Sequence, residues 1–356
     1  MPNASSFAFF SGRPTIAIGN NDHAALTAGL LAITVIESVT GIYRCEALFG
    51  NCGGQNGFLY FDRQTLDFGA TFQVKFGQDL LFTGRITALE ARYSEGKAPE
   101  ILILAEDALQ DLRMTRRTRS FAEMTDSDVF AQIARDHSLN PQIDLTGPTH
   151  KILAQVNQSD LAFLRERARL IDAELWIENT TLHASKRSNR RSQGLELTKG
   201  GGLREFTVIA DLATQRTSVV ATGWDASGKS TLEYEADDSV LGKELGNDES
   251  AAGILQQKFR SRKESLAHGA PLSSEETQLQ AESLFRHIAR RFVVGRGIAE
   301  TDPALRVGRE VDLQGLGVLF SGKYYLAEVR HRWEVSYRLR TEFVGEKPGL
   351  GKVQTL

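Results

Sequence analysis

The sequence is poor in the features that mark several protein classes. Two cysteines in 356 residues, Cys45 and Cys52 in CEALFGNC, supply neither a second pair nor histidines at zinc-ligand spacing. A disulfide framework and a zinc module are therefore excluded, and reduced thiols are expected. No run reaches the ~18 apolar residues of a membrane-spanning helix. The longest candidate, ALTAGLLAITVI at 25–36, is too short, and its β-branched end is expected to open a buried strand. The first residues, MPNASSFAFF, lack the basic start and apolar core of a secretory signal, so synthesis in the cytoplasm is expected. An excess of one charge is missing too. Against 45 acidic side chains stand 42 basic ones, a formal charge of -3, which leaves no global field for nucleic acid or an anionic membrane.

What is present is ordinary globular material, 41% hydrophobic and 24% charged, in a length that suits two or three domains. One stretch invites a chemical reading. GWDASGKST at 223–231 satisfies G-x-x-x-x-G-K-[ST] through Gly223, Gly228, Lys229 and Ser230. A phosphate-binding loop needs a strand before it and a helix after it, whose N-terminal amides face the phosphates. The preceding TSVVAT reads as a strand, but the following TLEYEADD alternates apolar and acidic residues at a period near two. The spacing predicts a hairpin, and a P-loop nucleotidase becomes a distant alternative.

Strand patterning with glycine punctuation dominates to residue 105, with strands expected at 58–61, 71–76, 80–91 and 100–105. The pattern changes near 114. A capping box at Thr125-Asp126-Ser127-Asp128 opens a helix ending near His137, and a second helix starts at Ser159 with the stripe Leu161, Leu164, Ala168 and Ile171. A hairpin at 174–184 turns at Asn179-Thr180. Residues 186–202, KRSNRRSQGLELTKGGG, are expected to form an exposed linker. Strands return at 204–211 and 217–222, a helix is expected at about 273–292, and strands follow to about 343. This divides the chain into a first β-barrel at 1–114, an α/β domain at 115–200, a second β-barrel at 201–346 and a flexible tail at 347–356.

A repeat supports the two barrels. FGATFQVKFGQDLLFTG at 68–84 matches VGREVDLQGLGVLFSG at 307–322 to within one residue of length. Gly69, Phe82 and Gly84 are thereby set against Gly308, Phe320 and Gly322, and Phe72 and Val74 against Val311 and Leu313. A duplicated β-domain around an α/β segment is the simplest account.

With the phrases SDLAFLRERARLIDAELWIENTTLHA (159–184) and GVLFSGKYYLAEVRHRWEVSYRLRTEF (317–343), this arrangement resembles the phage late control D proteins. These are baseplate hub proteins of contractile tails, related to the N-terminal part of type VI secretion spike proteins and to hubs of contractile injection particles. The resemblance spans about 15–345. It implies a mainly β, α+β chain forming a homotrimeric, pseudo-six-fold ring that joins a six-fold inner tube to a three-fold spike within a phage tail baseplate or injection particle. Two barrels per chain would resolve that symmetry mismatch. The implied partners are the chain itself, the inner tube protein, a separate spike protein and other baseplate proteins, without a membrane, and with nucleic acid or cargo contacted only in passage.

No catalytic, cofactor-binding or metal residue is assigned. His331 reads as a strand histidine beside Val329 and Trp333, since no nucleophile or carboxylate accompanies it. The pairs Glu174/Glu178 and Asp237/Asp238 are placed on solvated strand faces or turns, although a cell-wall-degrading hub would need such a pair. His183 and His287 read as packing or surface residues. The clusters Arg113, Arg116, Arg117, Arg119 and Lys186, Arg187, Arg190, Arg191 are expected in solvated loops or salt-bridged interfaces, because no aromatics interleave them. Trp176, Trp224 and Trp333 are expected to anchor packing.

Overall fold

The computed structural model describes residues 12–352 apart from 55–56, 191, 193–194, 226–227, 267–272 and 337. The chain is α+β and mainly β. Period-two alternation puts one face of each strand inward. Cys45, Ala47 and Phe49 of Arg44–Gly50, Phe72, Val74 and Phe76 of Thr71–Phe76, and Ile101, Ile103 and Ala105 of Glu100–Glu106 thus meet in one core. Burial of each large side chain there stabilises the fold by roughly 1.5–3 kcal/mol. The stretch at 25–36 divides into a short helix, Ala24–Gly29, and the strand Leu30–Ser38, whose Ile33 and Val35 join the same core.

The helices start where side chains can take their unpaired amides. Thr125 and Asp128 form a reciprocal capping box for Asp126–Asp136, Ser159 caps Asp160–Leu170, and Ser273 caps Ser274–Ala289. The first two enclose a core of Val129, Phe130, Ile133, Leu161 and Leu164 with Leu182 of the hairpin Ala173–Glu178/Thr181–Lys186. The third lays Ala281, Phe285 and Ala289 on Val219, Ala221 and Ala236 of the hairpin Ser218–Asp225/Ser230–Ala236.

Four local expectations are corrected. Residues 58–61 are not a strand, because Asn51 Oδ1 accepts from the backbone amides of Leu59 and Tyr60 and folds the segment into turns. Residues 116–124, assigned no element from sequence, are a strand paired with His150–Ser159. The expected linker contains the short helix Arg187–Arg190 and the strand Glu196–Thr198, which pairs parallel with Glu310–Gln314. The expected tail is packed as far as Leu350: Lys347 ends a strand, and Gly349–Leu350 pairs with Glu249–Ser250. Residues 353–356 of that tail lie outside the described residues.

Among the described residues, one sheet of 13 strands runs through both halves of the chain. Its order contains the same succession twice. Leu203–Ala210, Val293–Glu300, Arg338–Lys347 and Gly322–Glu334 are followed by Leu30–Ser38, Arg44–Gly50, Glu100–Glu106 and Asp79–Arg92. Irregularities coincide. A bulge falls between Leu30 and Ala32 in one lead strand and between Leu203 and Glu205 in the other. A second falls between Ile86 and Ala88 in one closing strand and between Leu326 and Glu328 in the other. Gly69 N donates to Ile86 O and Ile86 N to Ala70 O, just as Gly308 N donates to Leu326 O and Leu326 N to Arg309 O. Bulges and bridging bonds fix register, so their coincidence equates the strands residue by residue.

The two sets are joined within the chain. Glu328 to Glu334 of one closing strand pair antiparallel with Ser38 to Ala32 of the other set's lead strand.

Candidate interaction site

A sheet that does not close leaves two edges whose amides and carbonyls need partners. Here, among the described residues, one open edge is the outer side of Leu203–Ala210, which pairs with Val293–Glu300 and on its other side has only the isolated bridge of Leu203 to Lys199. The described order ends on its other side at the two-residue strand Asn21–Asp22, and a second open stretch is the outer side of residues 88–92. There Thr71–Phe76 has already diverged, having paired only as far as Arg85, and no described strand takes its place. Large apolar side chains stand along both edges. Ile209 is 60% exposed on the first, and Tyr93, just past the second, is 66% exposed. Tyr93 packs edge-on to Phe58 and near Phe61, with Phe68 and Leu59 also exposed in that region of the chain. Aromatic residues gathered in solvent mark an interaction surface more readily than scattered ones do.

The sequence repeat maps unevenly onto these strands. Gly69 and Gly308 both have positive φ, 76° and 89°, a backbone state that glycine adopts without Cβ strain. Phe82 is buried beside Val74, whereas Phe320 closes the helical turn Gly317–Phe320 and is half-buried. Gly84 lies opposite Phe72, but Gly322 lies opposite Leu313, so the register sets these two glycines two positions apart. The connecting loop is the cause: it spans 77–78 in the first hairpin and 315–321 in the second.

The segment between the two sets is held by a buried ionic knot of Arg190, expected in a solvated loop or salt-bridged interface, and Glu174, expected on a solvated strand face. Arg190 donates to Glu174 at 2.8 Å, to the Tyr43 hydroxyl at 2.7 Å and to the carbonyl of Val307, while its guanidinium lies 4.2 Å from the Trp176 ring centre. Tyr325 donates its hydroxyl to the same Glu174 carboxylate. Burial alone would lower the Arg190 pKa, but Tyr43, Tyr325 and Glu174 carry it the other way, and the side chain remains charged. Arg187, expected in a solvated loop or a salt-bridged interface, pairs with Glu346 at 2.7 Å. A cleft of about 480 Å3 opens beside this knot, lined by Tyr43, Trp176, Arg190 and Arg306.

Three of the four arginines in the other basic cluster are ion-paired. Arg113 pairs with Glu106, and Arg117 and Arg119 both reach Asp160, which also accepts from Gln155 and bonds His137. Arg116 donates to the carbonyl of Asn157, and Lys186 ends a strand; Arg191 lies outside the described residues.

None of the imagined acid–base groups is arranged for chemistry. His331 is buried, bonds Thr341 through Nδ1, and is pushed down to about 3 by burial and the Arg306 charge. Glu174 is buried in the knot, contrary to its expected solvated position, because Arg190 and Tyr325 satisfy it there. Glu178 is exposed, Asp237 caps a 3-10 turn, and Asp238 accepts from Ser250. His183 stacks on Trp176, and His287 is a surface residue whose pKa is lowered by desolvation and the neighbouring Arg169 charge. Trp333 is buried, but Trp224 is exposed and anchors no packing, since it faces outward on the hairpin. In that hairpin Asp225 pairs with Ser230 across the loop holding Lys229, and a strand follows instead of a helix, so no helical amides face the loop. Among the described residues no group of His, Cys, Asp and Glu is positioned for a metal ion, and no helix is long and apolar enough to cross a membrane.

The fold is shared with structural proteins of phage tails and type VI secretion. The 43 kDa tail protein of prophage MuSo2 from Shewanella oneidensis superposes with a TM-score of 0.71 at 11% identity, over 94% of this chain and 98% of that one. The tail protein from Neisseria meningitidis MC58 gives 0.68 at 13% identity, over 95% and 97%. The E. coli c3393 protein is described as a component of the type VI secretion system with structural similarity to bacteriophage T4 tail proteins gp27 and gp5. It gives 0.57 at 12% identity, over 95% and 79%. In sequence, the chain belongs to the family described as the Alg8 N-terminal domain, whose model matches residues 54–334. No curated protein sequence gives a significant match.

Proposed function

We propose that this chain is a structural, non-enzymatic baseplate hub of a contractile tail or injection particle. Three copies form a ring that joins a six-fold inner tube to a three-fold central spike. The observation that carries the reading is the doubled four-strand set, laid head to tail in one sheet with the outer sides of 205–210 and 88–92 open among the described residues. A head-to-tail contact is heterologous and propagates until a rotation closes it. Two sets per chain give three chains six similar modules, which is the number a hexameric tube ring presents. Each set is the inner part of a tube-like barrel domain, the first within 1–114 and the second within 201–346, and 115–200 forms the α/β domain between them. The fold shared with phage tail and type VI secretion proteins supports the same assignment.

The partners of the ring are the inner tube protein, the spike protein and other baseplate proteins. Cargo or nucleic acid passes through without a dedicated site, in keeping with the internal pairing of Arg113, Arg117, Arg119, Arg187 and Arg190. Electron microscopy of this protein co-expressed with the neighbouring tube and spike genes tests the proposal. A three-copy ring showing six similar modules around the axis is expected. A dimeric or six-copy assembly, or two modules at unlike radii, would refute it.

A further inference from the structure

The internal junction is a worked example of how one set meets the next, so it specifies what the two open edges require. Shared bulges and bridging bonds equate residues 85–93 with 325–333, and residues 30–38 with 203–211. At the internal junction Trp333 stands opposite Ile33, His331 opposite Val35, Arg330 opposite Ile36 and Val329 opposite Glu37. The equivalent residues at the open edges are Tyr93 and Phe206, Ala91 and Val208, Glu90 and Ile209, and Leu89 and Ala210.

Exposure separates the two situations. Trp333 is 6% exposed, against 66% for its equivalent Tyr93, and Val307 is 5% exposed, against 52% for its equivalent Phe68. His331, Val35 and Ile33 are buried, whereas Ala91 is exposed and Val208 and Phe206 are half-buried. The same positions are therefore covered where a neighbouring set is present and more exposed where it is absent.

We propose that the occupant of each open edge is a second copy of this chain. Residues 88–94 of one copy add antiparallel to 205–211 of the next in the register copied from the internal junction, with Ala91 opposite Val208. This rests on the ring reading above and goes further in assigning the contact residue by residue. The added ladder satisfies the open amides and carbonyls, as strand addition does at other sheet edges. Tyr93 enters the partner's core beside Phe206, as Trp333 enters beside Ile33.

One exchange distinguishes the contact between copies from the internal one. Glu37 is buried at the internal junction, where it pairs with Arg306 and accepts from the amide of Val307. The equivalents of Glu37, Arg306 and Val307 are Ala210, Asp67 and Phe68. An apolar contact of Phe68 with Ala210 thus replaces a buried ion pair, avoiding the desolvation of two charges each time a ring forms.

Disulfide trapping tests the register. Directly opposed cross-strand residues have Cβ atoms about 4.5–5.5 Å apart, near the span of a disulfide, whereas a one-residue slip turns one of them to the other face. In full-length protein carrying Cys52→Ser and assembled with the tube and spike proteins, Glu90→Cys with Ile209→Cys should yield covalent dimers and trimers on oxidation with copper phenanthroline. The yield should exceed that of Glu90→Cys with Val208→Cys at least about tenfold. Three-copy rings in which the first pair does not link, or links no better than the second, would overturn the register and leave the ring standing. Linkage of either cysteine to a different protein would overturn the choice of occupant. Protein that stays single with tube and spike present would overturn both the ring and this contact.

Discussion

His150 offers a measurable test of how the segment between the two strand sets is fastened to the helix Ser274–Ala289. Its ring is 5% exposed, with Nδ1 2.7 Å from Glu276 Oε1 on that helix and Nε2 3.1 Å from Asp126 Oδ2. Arg167 donates to both Asp126 oxygens, at 2.7 and 2.9 Å. Hydrogen bonds to Asp126 and Glu276 outweigh burial and the Arg167 charge and raise His150 from 6.5 to about 9. At about 1.4 kcal/mol per tenfold change in proton affinity, that gap corresponds to roughly 3 kcal/mol of stability. Because the folded-state value is the higher one, the contribution is fully present below pH 6.5, shrinks above it and is lost as the pH passes 9. In His150→Gln the side chain no longer titrates, while Asp126 keeps Arg167. Urea unfolding of parent and variant at pH 6 and pH 9.5 should show the stability gap between them narrowing by about 2–3 kcal/mol at the higher pH. A gap that stays constant across that range would show that the imidazolium does not bridge these carboxylates.

Two further outcomes follow from packing. Arg190→Met should destabilise the protein by about 3–5 kcal/mol, because Glu174 is left buried without its cation, and Arg190→Met with Glu174→Gln should recover part of the loss in calorimetric melting. Gly84→Val should cost more than Gly322→Val by urea titration, since a Cβ at Gly84 would lie 2.4 Å from the Glu106 carbonyl oxygen, a fixed backbone atom, whereas at Gly322 the nearest atom is the side-chain Nζ of Lys347 at 3.3 Å. The penalty at Gly322 then comes from its φ of 120°, and equal tolerance at both positions would contradict this account.

Local order was largely legible in the sequence, because it depends on neighbours a few residues apart. Alternating side chains placed Thr71–Phe76 and Glu100–Glu106, and serine and threonine caps placed the helices that begin after Thr125, Ser159 and Ser273. The hairpin reading of the loop around Lys229 came from the alternation that follows it. The doubled sheet also leaves a trace in the sequence: Leu-x-x-x-Thr-Val-Ile occurs at 30–36 and again at 203–209, at equivalent places in the two lead strands. The glycine match at 84 and 322 slid by two positions instead, because loops of different length separate the paired strands and sequence similarity alone does not report register.

Only the tertiary structure decided which charges are buried and which edges are open. KRSNRR reads as an exposed run, yet Arg187 and Arg190 are drawn inside because Glu346, 159 positions away, and Glu174, 16 positions away, meet them across the fold. Asn51 likewise cancels a strand at 58–61 through two side-chain bonds that no local propensity registers. Composition and periodicity fix which face of a strand is apolar. Whether an edge finds a partner depends on what lies beside it in space, and that is why Trp333 is covered while Tyr93, in the equivalent place, is left exposed.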